Sequence, residues 1–106
     1  MKIAVLNTSI LTTFGSYTYS QISVDDARSL ASENEIVSAV GHQATADILT
    51  SILGVSVPMN RIQYRQDVGD RALVFKLRGR PLEGKILTRA EIDEVGYDFG
   101  LLVRVT

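Results

Sequence analysis

The run Ile3-Ala4-Val5-Leu6 constrains this chain most. It is four apolar residues without interruption, bounded by Lys2 and by Asn7-Thr8-Ser9. It is too short for a helix of ordinary length, and a strand that is apolar on both faces must be covered on both. That describes a buried central strand of an α/β sheet. Sheets of this kind place ligands at the C-terminal ends of such strands. Asn7 and Ser9 are therefore candidate ligand contacts.

The rest of the chain supplies neighbours for that strand. Tyr17 to Ile22 is rich in β-branched and aromatic residues, which predicts a second strand. Ser23 or Asp25 caps a predicted helix over 25–34, with Ala27, Leu30 and Ala31 inward and Asp25 and Asp26 in the dipole-favoured first turn. Ile36 to Val40 is another short apolar run and reads as a strand. Gly41-His42-Gln43-Ala44-Thr45 opens a helix whose Ala44, Ile48, Leu49, Ile52 and Leu53 recur at three- and four-residue steps, and Gly54 stops it. Arg61–Arg65 and Ala72–Arg78 alternate as strands, with Asp67-Val68-Gly69-Asp70 as the turn of a hairpin. Gly79 to Lys85 is a loop by composition. Thr88 and Glu91 form a capping box for a helix over 88–95, Gly96 ends it, and Tyr97 to Val105 closes the chain as a strand.

These elements predict an α/β (α+β) fold: a small mixed sheet of about five to six strands flanked by helices. At 106 residues the chain accommodates a single domain, 1–106, and no second one. A domain of this size buries a limited fraction of its surface, and oligomerisation is a common remedy.

Composition narrows the function. There is no cysteine, so disulfides and thiolate metal sites are excluded. The N-terminal apolar run is too short for a signal peptide or a membrane span, so a cytoplasmic location is expected. The net charge is −1, which argues against a general duplex-DNA binder. The charge is uneven: Asp25, Asp26, Glu33, Glu35 and Asp47 outweigh Lys2 and Arg28 in the first half, whereas Arg61, Arg65, Arg71, Arg78 and Arg80 cluster in the second. Arginine is the preferred fork for phosphate; the plainer reading is ordinary solvated strand edges.

His42, the only histidine, follows a predicted strand and opens a helix. Unpaired N–H groups and the positive dipole end favour an anion such as phosphate there, and Gly41 permits close backbone approach. The dipole disfavours imidazolium while a bound phosphate favours it, which suits acid–base work. The competing reading is a histidine that only caps the helix. Arg80 and Glu83 share a loop shaped by Gly79, Pro81 and Gly84. Arg80 suits charge stabilisation on a phosphodiester and Glu83 suits accepting a proton or orienting Arg80; the competing reading is a weak surface ion pair. One histidine and no cysteine make a metal site unexpected, and no cofactor is called for. There is no Walker loop, dinucleotide fingerprint or Gly-x-Ser-x-Gly elbow. What remains is metal-free acid–base chemistry on a phosphate ester, and ribonucleic acid carries its own nucleophile, the 2′-hydroxyl.

Three motifs together resemble a known family. Val40-Gly41-His42-Gln43-Ala44-Thr45 at a helix start, Asn60-Arg61 at a strand start, and Arg80-Pro81-Leu82-Glu83-Gly84-Lys85-Ile86-Leu87 before a capped helix look like the viral anti-CRISPR ring nucleases, which have YddF-like bacterial relatives. Leu6-Asn7-Thr8-Ser9 also resembles that family's N-terminal strand end. The resemblance implies a homodimer that binds cyclic tetra-adenylate across its two-fold axis. It also implies metal-free cleavage to linear di-adenylate with a 2′,3′-cyclic phosphate, which switches off type III CRISPR signalling. By position it implies His42, Arg80 and Glu83 as catalytic residues and Asn7 and Arg61 as substrate contacts; Ser9, Gly41 and Thr45, in the same segments, are further candidate substrate contacts. Two departures stand out. Pro81-Leu82 leaves Glu83 as the single carboxylate where relatives often read Arg-Leu-Glu-Glu-Gly, and Gln43-Ala44-Thr45 replaces an acidic-Ser-Thr run. Two other readings accompany the ring nuclease: a non-catalytic cyclic oligonucleotide sensor or sequestering protein, and a nucleic-acid-associated regulator of a mobile element that uses the arginine-bearing hairpin.

Overall fold

The computed structural model describes residues 2–8, 10–78 and 89–106. Among these, five strands and three helices form a mixed α+β fold. The strands are β1 (Lys2–Leu6), β2 (Tyr17–Ile22), β3 (Glu35–Ser38), β4 (Arg71–Leu77) and β5 (Tyr97–Arg104); the helices are α1 (Val24–Glu33), α2 (Gln43–Leu53) and α3 (Arg89–Val95). The sheet order is β2-β5-β4-β1-β3. β3, β1 and β4 run parallel, and β5 pairs antiparallel with both β4 and β2.

β1 is an interior strand, as its apolar run requires, and Ile3 to Leu6 are all buried. Its alternate residues serve two layers. Ile3 and Val5 join Leu73, Phe75 and Phe99 beneath the helices, which contribute Ala27, Ala31, Leu49, Ile52 and Ile92. Ala4 and Leu6 join Ala72, Val74 and Leu102 on the opposite face, where Tyr17, Ala39 and Tyr64 pack against them.

Local chemistry sets the helix ends. The Ser23 hydroxyl accepts from the Asp26 N–H at 3.0 Å, so Ser23 rather than Asp25 is the cap of α1. The Asn34 amide closes α1 on the Leu30 carbonyl at 2.8 Å. Gly54 ends α2 with φ of 73°, a left-handed conformation that a Cβ disfavours. Arg28 joins the two helices by donating to the Ile52 carbonyl at 2.7 Å.

The predicted hairpin does not form. β1 and β5 occupy both edges of β4, so Arg61–Arg65 has no place beside it. The segment instead lies extended over the second face of the sheet. Its alternation is real but has another cause: Tyr64 and Gln66 turn inward while Arg61, Ile62, Gln63 and Arg65 stay exposed. Gln66 is fully buried, and its side-chain amide donates to the carbonyls of Asp70 at 2.7 Å and Leu102 at 2.9 Å. The strand expected over Ile36–Val40 ends at Ser38: the Ala39 N–H still donates to the Val5 carbonyl of β1 at 3.0 Å, but the Val40 carbonyl accepts from the Asn60 N–H instead. The Gly79–Lys85 loop and the Thr88 end of the capping box lie outside the described residues. No helix among the described residues is long and apolar enough to cross a membrane.

Candidate functional site

The three parallel strands end on one edge of the sheet. Asn7 follows β1, Gly41 and His42 follow β3, and β4 delivers the chain to the same edge at Leu77 and Arg78. Such an edge is where open α/β sheets accept ligands.

His42 is the N-cap residue of α2, and its carbonyl accepts from the Ala46 N–H at 3.0 Å. Its side chain makes no capping hydrogen bond. The imidazole is exposed, so the capping role considered from the sequence belongs to the backbone alone. Thr45 is half-buried in the first turn of the same helix.

Arg61 reaches this helix start from the extended segment. Its Nε–H donates to the Gly41 carbonyl at 2.9 Å. The bond is one of several joining the two segments. The Asn60 N–H donates to the Val40 carbonyl at 2.8 Å, and the Asn60 amide donates to the Ser38 carbonyl at 2.9 Å. The buried Ser38 hydroxyl donates to the Pro58 carbonyl at 2.5 Å and accepts from the Val40 N–H at 3.3 Å. Together these bonds clasp 38–41 to 58–61. A Cβ on Gly41 would lie 3.5 Å from Arg61 Cγ, an ordinary contact, and its backbone is not in the left-handed region. The chain's own packing therefore does not require glycine at 41.

Beside the clasp lies an open cleft of about 330 Å³. Leu6, Asn7 and Thr8 form one side, Ile10, Leu11 and Thr12 a second, and Ala39 with Ile62, Gln63 and Tyr64 the rest. The structure thus gathers Asn7, Gly41, His42, Thr45 and Arg61 at one sheet edge. Ser9, Arg80 and Glu83 lie outside the described residues.

Sequence reasoning missed two parts of this site. The clasp had a signal: Ser38 is the one polar residue in an apolar run, and a buried hydroxyl needs partners. The walls of the cleft had none, because Ile10 and Leu11 sit in a segment with no periodicity and the alternation around Gln63 points only to a strand.

Tyr64 and both members of the Arg78–Asp98 pair depart from their ordinary behaviour. Burial, assisted by Asp70, Asp67 and Tyr17, pushes the Tyr64 phenol up to about 12. Hydrogen bonds from Arg78, the shortest at 2.8 Å, hold the Asp98 carboxyl below the usual aspartate range; burial opposes this, while the charges of Arg78 and Lys76 and the Gln21 amide assist it.

The STIV B116-like family pattern matches residues 3–99, nearly the whole described fold. The chain belongs to the STIV B116-like family. Its relatives in the family are largely viral. "Uncharacterized protein 26" of Sulfolobus islandicus filamentous virus (isolate Iceland/Hveragerdi) is 41% identical over 87 residues, covering 81% of this chain and 74% of that protein. "Uncharacterized protein ORF117" of Acidianus two-tailed virus is 38% identical over 88 residues, covering 80% and 75%. The family also reaches a bacterium: "Uncharacterized protein YddF" of Bacillus subtilis (strain 168) is 31% identical over 107 residues, covering 99% of each chain. Among solved structures, B116 of Sulfolobus turreted icosahedral virus superposes with a TM-score of 0.76 at 22% identity, over 98% of this chain and 100% of that one. At that identity the likeness speaks for the fold.

Proposed function

We propose that this chain is a metal-independent ring nuclease that acts as a homodimer on cyclic tetra-adenylate. The observation that carries the reading is the convergence of three parallel strand ends on one edge, with Asn7 after β1 and His42 after β3; Arg80 and Glu83 follow β4 in the sequence. A two-fold dimer suits a ring with repeating phosphates, since each subunit offers the same groups to opposite linkages.

In the proposed reaction the ribose 2′-oxygen attacks the adjacent phosphorus and the 5′-oxygen leaves. The P–O5′ bond breaks as the P–O2′ bond forms, giving a 2′,3′-cyclic phosphate and a 5′-hydroxyl. His42 donates the proton that the departing 5′-oxygen takes up. Its exposed side chain makes no capping bond, so that role costs the helix nothing. The unpaired N–H groups at the start of α2 hold the phosphate, and Gly41 keeps the backbone approachable. Arg80 stabilises charge on the phosphate oxygens, and Glu83 accepts the proton that the attacking 2′-hydroxyl gives up. Alignment of the 2′-oxygen alone supplies about 7 kcal/mol or more of the barrier.

The regulator reading loses its main support, because the arginine-bearing hairpin is not formed. Arg71 is engaged with Asn34 and Arg78 with Asp98, so these two side chains serve the fold, while Arg61 commits one of its donors to Gly41. Incubation with cyclic tetra-adenylate in EDTA tests the proposal. Linear di-adenylate is the expected product; tight binding without product would replace the nuclease with a sensor or sequestering protein.

A further inference from the structure

We infer that the free edge of β2 pairs with β2 of a second copy of this chain, antiparallel and centred on Tyr19, so that two sheets join into one. The contact lies at the opposite edge of the sheet from β3 and is independent of the proposed reaction.

The backbone carries the inference. β2 is the last strand of the sheet and pairs only with β5. Just before it, Ser16 turns both polar backbone groups toward the end of the chain that follows β5. Its N–H donates to the Thr106 carbonyl at 3.3 Å, and its carbonyl accepts from the Val105 N–H at 2.7 Å. Direction alternates along a strand, so Thr18, Ser20 and Ile22 also face β5, while Tyr17, Tyr19 and Gln21 turn their N–H and C=O groups outward. Among the described residues nothing takes up these outward groups. An antiparallel second β2 does. With Tyr19 opposite its own copy, Tyr17 meets Gln21 on either side of the axis, and every outward position exchanges both bonds with a partner.

The side chains favour a copy of the same strand. A two-fold axis sets a residue at its centre beside itself, so a charge there would meet the same charge. β2 reads Tyr-Thr-Tyr-Ser-Gln-Ile, with neither the charged residues nor the proline that guard an edge against pairing. The other edge is guarded: β3 has four residues and opens on the exposed Glu35. Tyr19 is 47% exposed, and its ring lies over Gly100, where a Cβ would collide with it. The axis brings two such rings together on one face of the joined sheet. Phe14, 97% exposed shortly before β2, stands at the end where the second copy's strand finishes.

The chain has no cysteine, so a single one reports the register. Opposed residues of a hydrogen-bonded antiparallel pair have Cα atoms about 5.5 Å apart, within the span of a disulfide. In the full-length chain under mild oxidation, Tyr19→Cys is expected to form a disulfide-linked dimer about tenfold faster than Glu35→Cys at the opposite edge, because pairing holds the two thiols together. Tyr19→Lys sets like charges against each other across the axis, and is expected to halve the mass that sedimentation equilibrium finds for the wild type at the same concentration. Both backbone groups of Tyr19 point away from β5, so each variant keeps the ladder that holds β2 in the sheet. Equal cross-linking rates at positions 19 and 35, or an unchanged mass in Tyr19→Lys, would overturn the inference. Neither readout involves ring cleavage, so this contact and the proposed nuclease fail separately.

Discussion

Arg61 donates its Nε–H to the carbonyl of Gly41 at 2.9 Å, across twenty residues of sequence. The bond uses one of five guanidinium donors and fixes the backbone immediately before His42. It makes the extended segment part of the helix start, so the candidate acid and the candidate phosphate ligand are held by one clasp.

The clasp should be measurable as stability. Ser38→Ala leaves the Pro58 carbonyl and the buried Val40 N–H without their partner. A loss of about 1–3 kcal/mol is expected from the shift in urea midpoint. Asn60→Ala should cost about 1 kcal/mol, and the double variant less than the sum, because both residues join the same two segments. Strictly additive losses would show that the clasp does not act as a unit.

Gly41→Ala separates folding from function. A Cβ there meets Arg61 Cγ only at ordinary contact distance, so the unfolding midpoint should move by less than about 0.5 kcal/mol. If a phosphate approaches the backbone at the start of α2, the same change should weaken nucleotide binding severalfold. Unchanged binding in a stable variant would remove Gly41 from the site.

Much of this was legible in the sequence, for identifiable reasons. The uninterrupted Ile3–Leu6 run placed an interior strand because four apolar residues cannot face water on either side of a sheet. The Ala44–Leu53 periodicity and Gly54 placed α2 because both signals are local. Arg61–Arg65 misled because alternation reports which side chains turn inward, not whether the backbone pairs with a neighbour; only the occupancy of both β4 edges decides that. The cleft was illegible because its walls come from separate segments that meet only in the folded chain.

Acid should expose the Arg78–Asp98 pair. The folded carboxyl lies below its unfolded value, so its contribution is present above the usual aspartate range and is lost as pH falls through the lowered value. Arg78→Ala should raise the Asp98 midpoint in a carbon-detected titration. An unmoved midpoint would mean that Arg78 is not its cause.

Alkali should single out Tyr64. Among four tyrosines, its phenol is held up to about 12, chiefly by burial. Because the folded value exceeds the unfolded one, this contribution is complete below about pH 10 and disappears as pH rises toward 12. Tyrosinate absorbance should show a late-titrating component that Tyr64→Phe abolishes. A wild-type curve without a late component, or one that Tyr64→Phe leaves unchanged, would refute the assignment.

The most direct test of the central claim is single-turnover cleavage of cyclic tetra-adenylate in EDTA by the wild type and by His42→Ala. His42 is exposed and its side chain makes no capping bond, so the variant should fold normally and still bind. The account predicts linear di-adenylate with a 2′,3′-cyclic phosphate from the wild type, and a rate about 10²–10⁴-fold lower from the variant. No product from the wild type at high enzyme concentration, or equal rates from both proteins, would contradict it.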